Sequence, residues 1–349
     1  MDTSLRQIIA CCLIWILTVL SAQGGENPPP FMGSYVGMVE TQARSKWIQH
    51  PQLAARVIGK GKNRYEVQLL PEFYKRANPY LVKMATAEAG ADELILEADG
   101  WSITFTANGA EGTAPGKDDP IPFKLEKVKT FSPYLGMVPP ENATVLFDGT
   151  SMSTWYHIKG GEEIPSTWKL LDDGSLEVVT RRGKNAQGGG DLVSRSVFGD
   201  CRVHIEFKLP YLPGKEGQNR SNSGIFVQEL YEVQILDSYG ALGNWDECGA
   251  LYKVWPPKVN ASAPPETWQT YDIEFRAARF NDAGKLLSPP VMTVYHNGIP
   301  IHKNAELHEI TAFNLDKRSR PHAKQPGPII LQDHGHPVQY RNIWVAPLD

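Results

Sequence analysis

The chain has 349 residues, of which 21% are charged, and a formal net charge of -4. There is no basic surplus to meet a phosphate backbone, so nucleic acid is excluded as a partner on charge. With 31 Gly, 27 Pro, 9 Trp and 13 Tyr, the composition fits many short strands joined by turns. The aromatic side chains then either fill a sheet core or offer platforms for sugar rings.

The length suggests about two domains. At the N-terminus, Arg6 precedes the apolar run Ile8–Leu20, and Ser21 and Ala22 offer small residues for cleavage. A run of this length is too short for a membrane span and matches a secretory signal. Residues 1–22 are expected to be removed, leaving an exported protein, periplasmic or extracellular, with no integral membrane span. Cys11 and Cys12 would go with the signal. Cys201 and Cys248 remain, and export permits a disulfide between them. Residues 23–30 (QGGENPPP) read as a flexible lead-in.

Residues 31–140 read as a small β-rich accessory domain. Strand-like segments run over 33–40, 53–58, 64–70, 94–97, 101–107 and 122–128, separated by turn signals such as Ala98-Asp99-Gly100 and Asn108-Gly109. A short helix is predicted over Ala85–Leu94. No cluster of polar residues marks a site in this part.

Pro139-Pro140 punctuates the chain, and residues 141–349 follow as a second, all-β unit. Strands are predicted over 176–179, 191–194, 201–207, 223–227, 231–236, 268–275, 291–296 and 328–332, with Asn297-Gly298 as a hairpin turn. Many short strands over about 200 residues indicate a jelly-roll β-sandwich. The triple glycine Gly188–Gly190 lacks the Gly-Lys-Ser/Thr ending of a phosphate loop.

Two polar strands focus the chemistry. In Tyr231–Asp237, alternation places Tyr231, Val233 and Ile235 on one face and Glu232 and Gln234 on the other, about 7 Å apart. In Cys201–Phe207, the polar face carries His204 and Glu206. The face of the first strand therefore offers one carboxylate and one amide. A second carboxylate has to come from a neighbouring strand, for which Glu206 is the best candidate. Gln332-Asp333-His334-Gly335-His336 follows an apolar strand and crowds polar groups at its end, where ligand sites are common. His334 is suited to proton transfer or to substrate contact. Asp333, His334 and His336 also have the residue types for a divalent metal, the one cofactor the sequence leaves open. Asn222 and Ser223 are candidates to orient sugar hydroxyls, Tyr252 and Trp268 to stack on rings, and Gln332 and Arg341 to hold substrate oxygens.

Seven ordered segments carry a resemblance. They are Leu146-Phe147-Asp148-Gly149, Ser221–Phe226, Tyr231–Ser238, Gly249–Tyr252, Trp268–Asp272, Gly327–Gly335 and Tyr340–Trp344. Together, over about 144–348, they resemble the 3-keto-disaccharide hydrolase domain family. The resemblance implies a concanavalin A-like lectin/glucanase jelly roll. It also implies export, a glycoside or oligosaccharide as substrate, and cleavage of glycosides whose sugar is first oxidised at C3. On that implication Glu232 and His334 share the base and acid roles. Gln234, Gln332 and Arg341 then hold the keto oxygen and the hydroxyls. A non-catalytic, lectin-like carbohydrate-binding module is the alternative, and an ordinary glycosidase with two carboxyl groups is a third reading.

Overall fold

The computed structural model describes residues 28–39, 52–73, 78–182, 186–312 and 314–348. The signal segment expected over 1–22, and most of the lead-in, lie outside these. Among the described residues, no helix is long and apolar enough to cross a membrane.

The first eight strands form one antiparallel sheet. Its order is Leu81–Thr86, Arg64–Leu70, Gln52–Gly61, Gly33–Val39, Ile121–Val128, Gly109–Ala114, Trp101–Phe105 and Leu94–Ala98. Its end strands touch, so the sheet curls around a core of its own that includes Tyr35, Leu53, Val67, Trp101, Phe105 and Leu125. The helix predicted over Ala85–Leu94 is absent. Residues Leu81–Thr86 pair with Arg64–Leu70 instead, burying Leu81 and Ala85. Cross-strand pairing here overrides the local preference for helix.

From Thr144 onward the chain builds a two-layer sandwich. One sheet runs Glu162–Pro165, Trp155–Lys159, Leu192–Phe198, Gly327–Leu331, Ser223–Val227 and Tyr231–Ile235. The opposing sheet runs Lys169–Leu170, Leu176–Glu177, Gln339–Pro347, Cys201–Lys208, Trp268–Arg276, Val291–His296 and Ile299–Glu306, with Thr144–Phe147 also paired to Gln339–Pro347. Val203, Ile205 and Phe207 from one layer pack against Ile225, Val233, Ile235 and Leu331 from the other. This is the concanavalin A-like jelly roll, preceded by a smaller β-rich sheet. The hairpin at Asn297-Gly298 forms as predicted: both residues have positive φ, 51° and 78°, between the paired His296 and Ile299.

The two parts touch through Met32, Ile58, Tyr211 and Tyr239. Ser34 Oγ lies 2.7 Å from Tyr239 OH, and Gln68 Nε2 donates to the Gly240 carbonyl at 2.7 Å. Cys201 and Cys248 are both buried and both free, so the disulfide that export would permit does not form. The Cys248 thiol instead meets Tyr271 OH at 3.0 Å.

Candidate active site

The outward face of the six-stranded sheet is read most clearly across the strands. Register pairs Val193, Ile330, Phe226 and Glu232 in one row. Continuing the same register by two residues gives the next row on that face, Asp191, Gln332, Gly224 and Gln234. Inward-pointing Leu192, Leu331, Ile225 and Val233, between the two rows, are fully buried in the core. The alternation read from the sequence therefore holds, and both rows face away from the core.

Phe226, Glu232, Gln234 and Gln332 from these rows floor a cavity of about 530 Å³. Glu232, Gln234, Asn222, Tyr252, Gln332 and His334, six of the residues singled out in the sequence, line it together. Arg182, Gln218, Thr311, Asn314 and Lys317 line it as well. Those five lie in segments without strand periodicity, and nothing in the sequence singled them out.

Tyr231–Ile235 is the edge strand of its sheet, so its outer backbone groups need partners. Thr311 Oγ1 accepts the Glu232 N–H at 2.7 Å and donates to the Leu230 carbonyl at 3.0 Å. Tyr252 N–H donates to the Glu232 carbonyl, and Gln234 N–H to that of Ala250. The same contacts bring Tyr252 and the 311–317 wall to the cavity.

The amide side of the cavity is cross-linked. Gln218 Oε1 accepts from Asn222 Nδ2 at 2.9 Å and from Gln234 Nε2 at 3.1 Å. Gln218 Nε2 donates to the Asp246 carbonyl at 2.7 Å. Two polar atoms remain without a partner, Asn222 Oδ1 and His334 Nδ1. Both belong to cavity-lining residues, and unpaired buried polar atoms are costly unless a ligand satisfies them.

Glu232 is only 5% exposed. Its carboxyl lies over Gly224, closer to where a Cβ would stand there than van der Waals contact allows. Burial, and then the negative charge of Asp191, push its pKa up to about 8. His334 moves the opposite way: burial, then the charges of Arg182 and His336, hold its imidazole below the usual value. At neutral pH the cavity therefore presents a protonated carboxyl and a neutral imidazole. Asp191 was not singled out in the sequence. It belongs to a strand distant in the chain, and only sheet register brings it into the row.

Four residues expected at the site are elsewhere. Ser223 alternates onto the core side, where its hydroxyl donates to the Gln332 carbonyl at 2.6 Å and meets Tyr340 OH at 2.6 Å. Glu206, Trp268 and Arg341 all belong to the other sheet, on its outer face. Glu206 is fully buried there. Its carboxylate accepts from Arg341 Nε at 2.6 Å, Asn342 Nδ2 at 3.0 Å and Gly136 N at 2.5 Å. The Arg341 guanidinium stacks on Trp268, 4.1 Å from the ring centroid. The segment 132–137 covers this cluster, so Glu206 is not the partner of Glu232.

Asp333, His334 and His336 do not make a metal centre. The Asp333 carboxylate accepts the backbone N–H groups of Arg181 at 2.7 Å and Gly335 at 3.0 Å, which shapes the loop. His336 Nδ1 accepts the Asn222 N–H at 3.1 Å, and its ring stacks on His334 with centroids 6.4 Å apart. Among the described residues, no group of three His, Cys, Asp or Glu is arranged to hold a metal. The three residues do not fit a divalent ion, and no step below runs through one.

A jelly roll whose open face carries an amide-rich cavity with a buried carboxyl and an imidazole fits a carbohydrate-active hydrolase, the class that the family match and a 35%-identical solved structure support. The sequence profile of the 3-keto-alpha-glucoside-1,2-lyase-like domain matches residues 142–346, and the chain belongs to that family. A crystal structure from Parabacteroides distasonis, described as a candidate glycosyl hydrolase, is similar at 35% identity and a TM-score of 0.52. It aligns over 60% of this chain and 85% of its own. A second from the same organism, described in the same words, is 18% identical with a TM-score of 0.41, over 61% of this chain and 99% of its own. No curated protein matches the chain at a significant level.

Proposed function

We propose that the chain cleaves glycosides whose sugar carries a ketone at C3, by elimination followed by hydration. The ketone acidifies the C2 proton. His334, neutral, removes it, and the C2–H electron pair passes into an enolate on the C3 oxygen. Collapse of the enolate expels the glycosidic oxygen from C1, which takes its proton from Glu232. Water then adds to the C1–C2 double bond to complete net hydrolysis. Gln234, Asn222 and Gln332 hold the hydroxyls, and Arg182 faces the oxygen on which negative charge develops.

The observation that supports this reading is the opposed displacement of two groups in one cavity. Glu232 keeps its proton at neutral pH and His334 does not, and such pairs divide into acid and base. Family membership supports the same substrate chemistry, and the 35%-identical relative is described as a candidate glycosyl hydrolase. Export through the N-terminal apolar run is part of the proposal.

The nearness of Asp191 favours a second reading, ordinary hydrolysis of an unoxidised glycoside by two carboxyl groups. The test is residues 23–349 incubated with a 3-keto-glucoside and with its unoxidised parent, following the released aglycone. Release from the keto compound alone is expected. Release from the parent would transfer the assignment to ordinary glycoside hydrolysis, and binding of either compound without release would leave a lectin-like module.

A further inference from the structure

Asp191 performs two structural tasks at once. Its Oδ1 accepts the Asp333 N–H at 2.8 Å, at the root of the loop that carries His334. Its backbone carbonyl accepts from Nδ1 of the buried His157 ring at 2.9 Å. Asp333 in turn closes the turn by accepting Gly335 N–H. Asp191 is thus the anchor of the His334 loop.

Across the sheet, Asp191 shares a row with Gln332, Gly224 and Gln234. Two strand spacings of about 4.8 Å separate its backbone from Gly224. The Glu232 carboxyl reaches back over that glycine, into the same row. Between them stands the Gln332 side chain, which is neutral. Glu232 and Asp333 are themselves buried, so a charge acts here over a longer reach than in solvent.

We propose that Asp191 is the positioning residue of this site, anchoring the loop of the base His334 and, as a fixed negative charge, keeping the proton on the acid Glu232. The inference rests on the proposed assignment of acid and base.

Other charges face Glu232 from the surrounding elements. They are Arg181 and Arg182 from the loop after Val179, Asp333 and His334 from the loop after Gln332, Tyr252 from the 249–252 segment and Lys317 from the outer wall. Burial raises the Asp191 carboxyl above its ordinary range, and the Asp333 N–H, Arg181 and Arg182 oppose that rise. Glu232 has no such cation among its influences. Asp191, with the Asp333 N–H and two arginines to hold its charge, therefore ionises before Glu232, which has none of these.

The test replaces Asp191 by Asn, which removes the charge and retains an oxygen for the Asp333 N–H. Asp191→Ser serves the same purpose should the Asn variant fail to fold. Full-length mature protein labelled with carboxyl-13C glutamate is titrated by NMR, and Glu232→Gln identifies the Glu232 signal. In the wild type that signal is expected to titrate near 8. In Asp191→Asn it is expected to fall by roughly half a unit or more, and the basic limb of the pH–rate profile on the keto-glucoside to fall with it. An unchanged Glu232 titration in a folded neutral variant overturns the proposal for Asp191 alone. A wild-type Glu232 that titrates near 4.5 overturns the acid assignment beneath it. Because the NMR reading needs no turnover, the two failures stay distinct.

Discussion

The carboxyl of Glu232 occupies the space above Gly224 that a side chain on residue 224 would fill. The two residues are separated by one row of the ladder: Gly224 pairs with Gln234, and Phe226 with Glu232. Gly224 does not have a positive φ, so the requirement for glycine is one of space rather than of backbone conformation.

Gly224→Ala should therefore displace the Glu232 carboxyl. We expect turnover of the keto-glucoside to fall by about a hundredfold, the typical cost of moving a reacting group by about an ångström. Stability should fall by about 1–3 kcal/mol through overpacking. Kinetics alongside a denaturant melt would separate the two effects, and unchanged turnover would remove Glu232 from the chemistry.

Activity against pH should be bell-shaped. The acid limb reports His334, which must be neutral and whose pKa lies below 6.5. The basic limb reports Glu232, which must keep its proton and loses it near 8. His334→Gln should cost at least about a hundredfold and abolish the acid limb. A profile that is flat between pH 6 and pH 9 would contradict the role of Glu232, and one with no acid limb would contradict that of His334.

Glu232 also costs the fold stability. The folded carboxyl holds its proton to about 8, whereas an ordinary glutamate loses it near 4.5. Between those values the folded state binds more protons than the unfolded chain, so stability falls as pH rises, and the loss is complete above about 8. Glu232→Gln should remove this slope. A gain of about 1–3 kcal/mol at pH 8.5, with little change at pH 4, is expected from thermal melts at the two values.

Glu206 behaves in the opposite sense. Burial opposes its charge, but His204, Asn342, the Gly136 N–H and Arg341 prevail and hold its pKa at about 2. Its contribution is complete above 4.5 and is lost as pH falls from there through about 2. Glu206→Gln weakens the bonds from Arg341, Asn342 and Gly136 and, with Arg341 partly exposed, should cost about 1–3 kcal/mol. Turnover per folded molecule should be unchanged, since the cluster lies on the other sheet. Loss of turnover without loss of stability would return Glu206 to the site.

Cys201 and Cys248 should both react with a thiol reagent once the protein is unfolded without reductant, since both are free. A count of none would show a disulfide.

Much of the sandwich was legible in the sequence because strand alternation is a local property. Tyr231, Val233 and Ile235 divide from Glu232 and Gln234 wherever that strand is placed. Val203, Ile205 and Phe207 divide from His204 and Glu206 in the same way. Alternation states which side chains share a face, and says nothing of what covers it. The polar face of Cys201–Lys208 is closed by the segment 132–137, with Gly136 N–H on Glu206, while the polar face of Tyr231–Ile235 opens into a cavity. Only the tertiary structure could make Glu232 a site residue and Glu206 a structural one. The same holds for Asp191 and Gln218, which are brought beside their partners by register and by loop packing between segments far apart in the chain. Periodicity is set by neighbouring residues along one strand. The electrostatics of a buried carboxyl are set by whatever the fold brings around it, and that is decided by the pairing of strands.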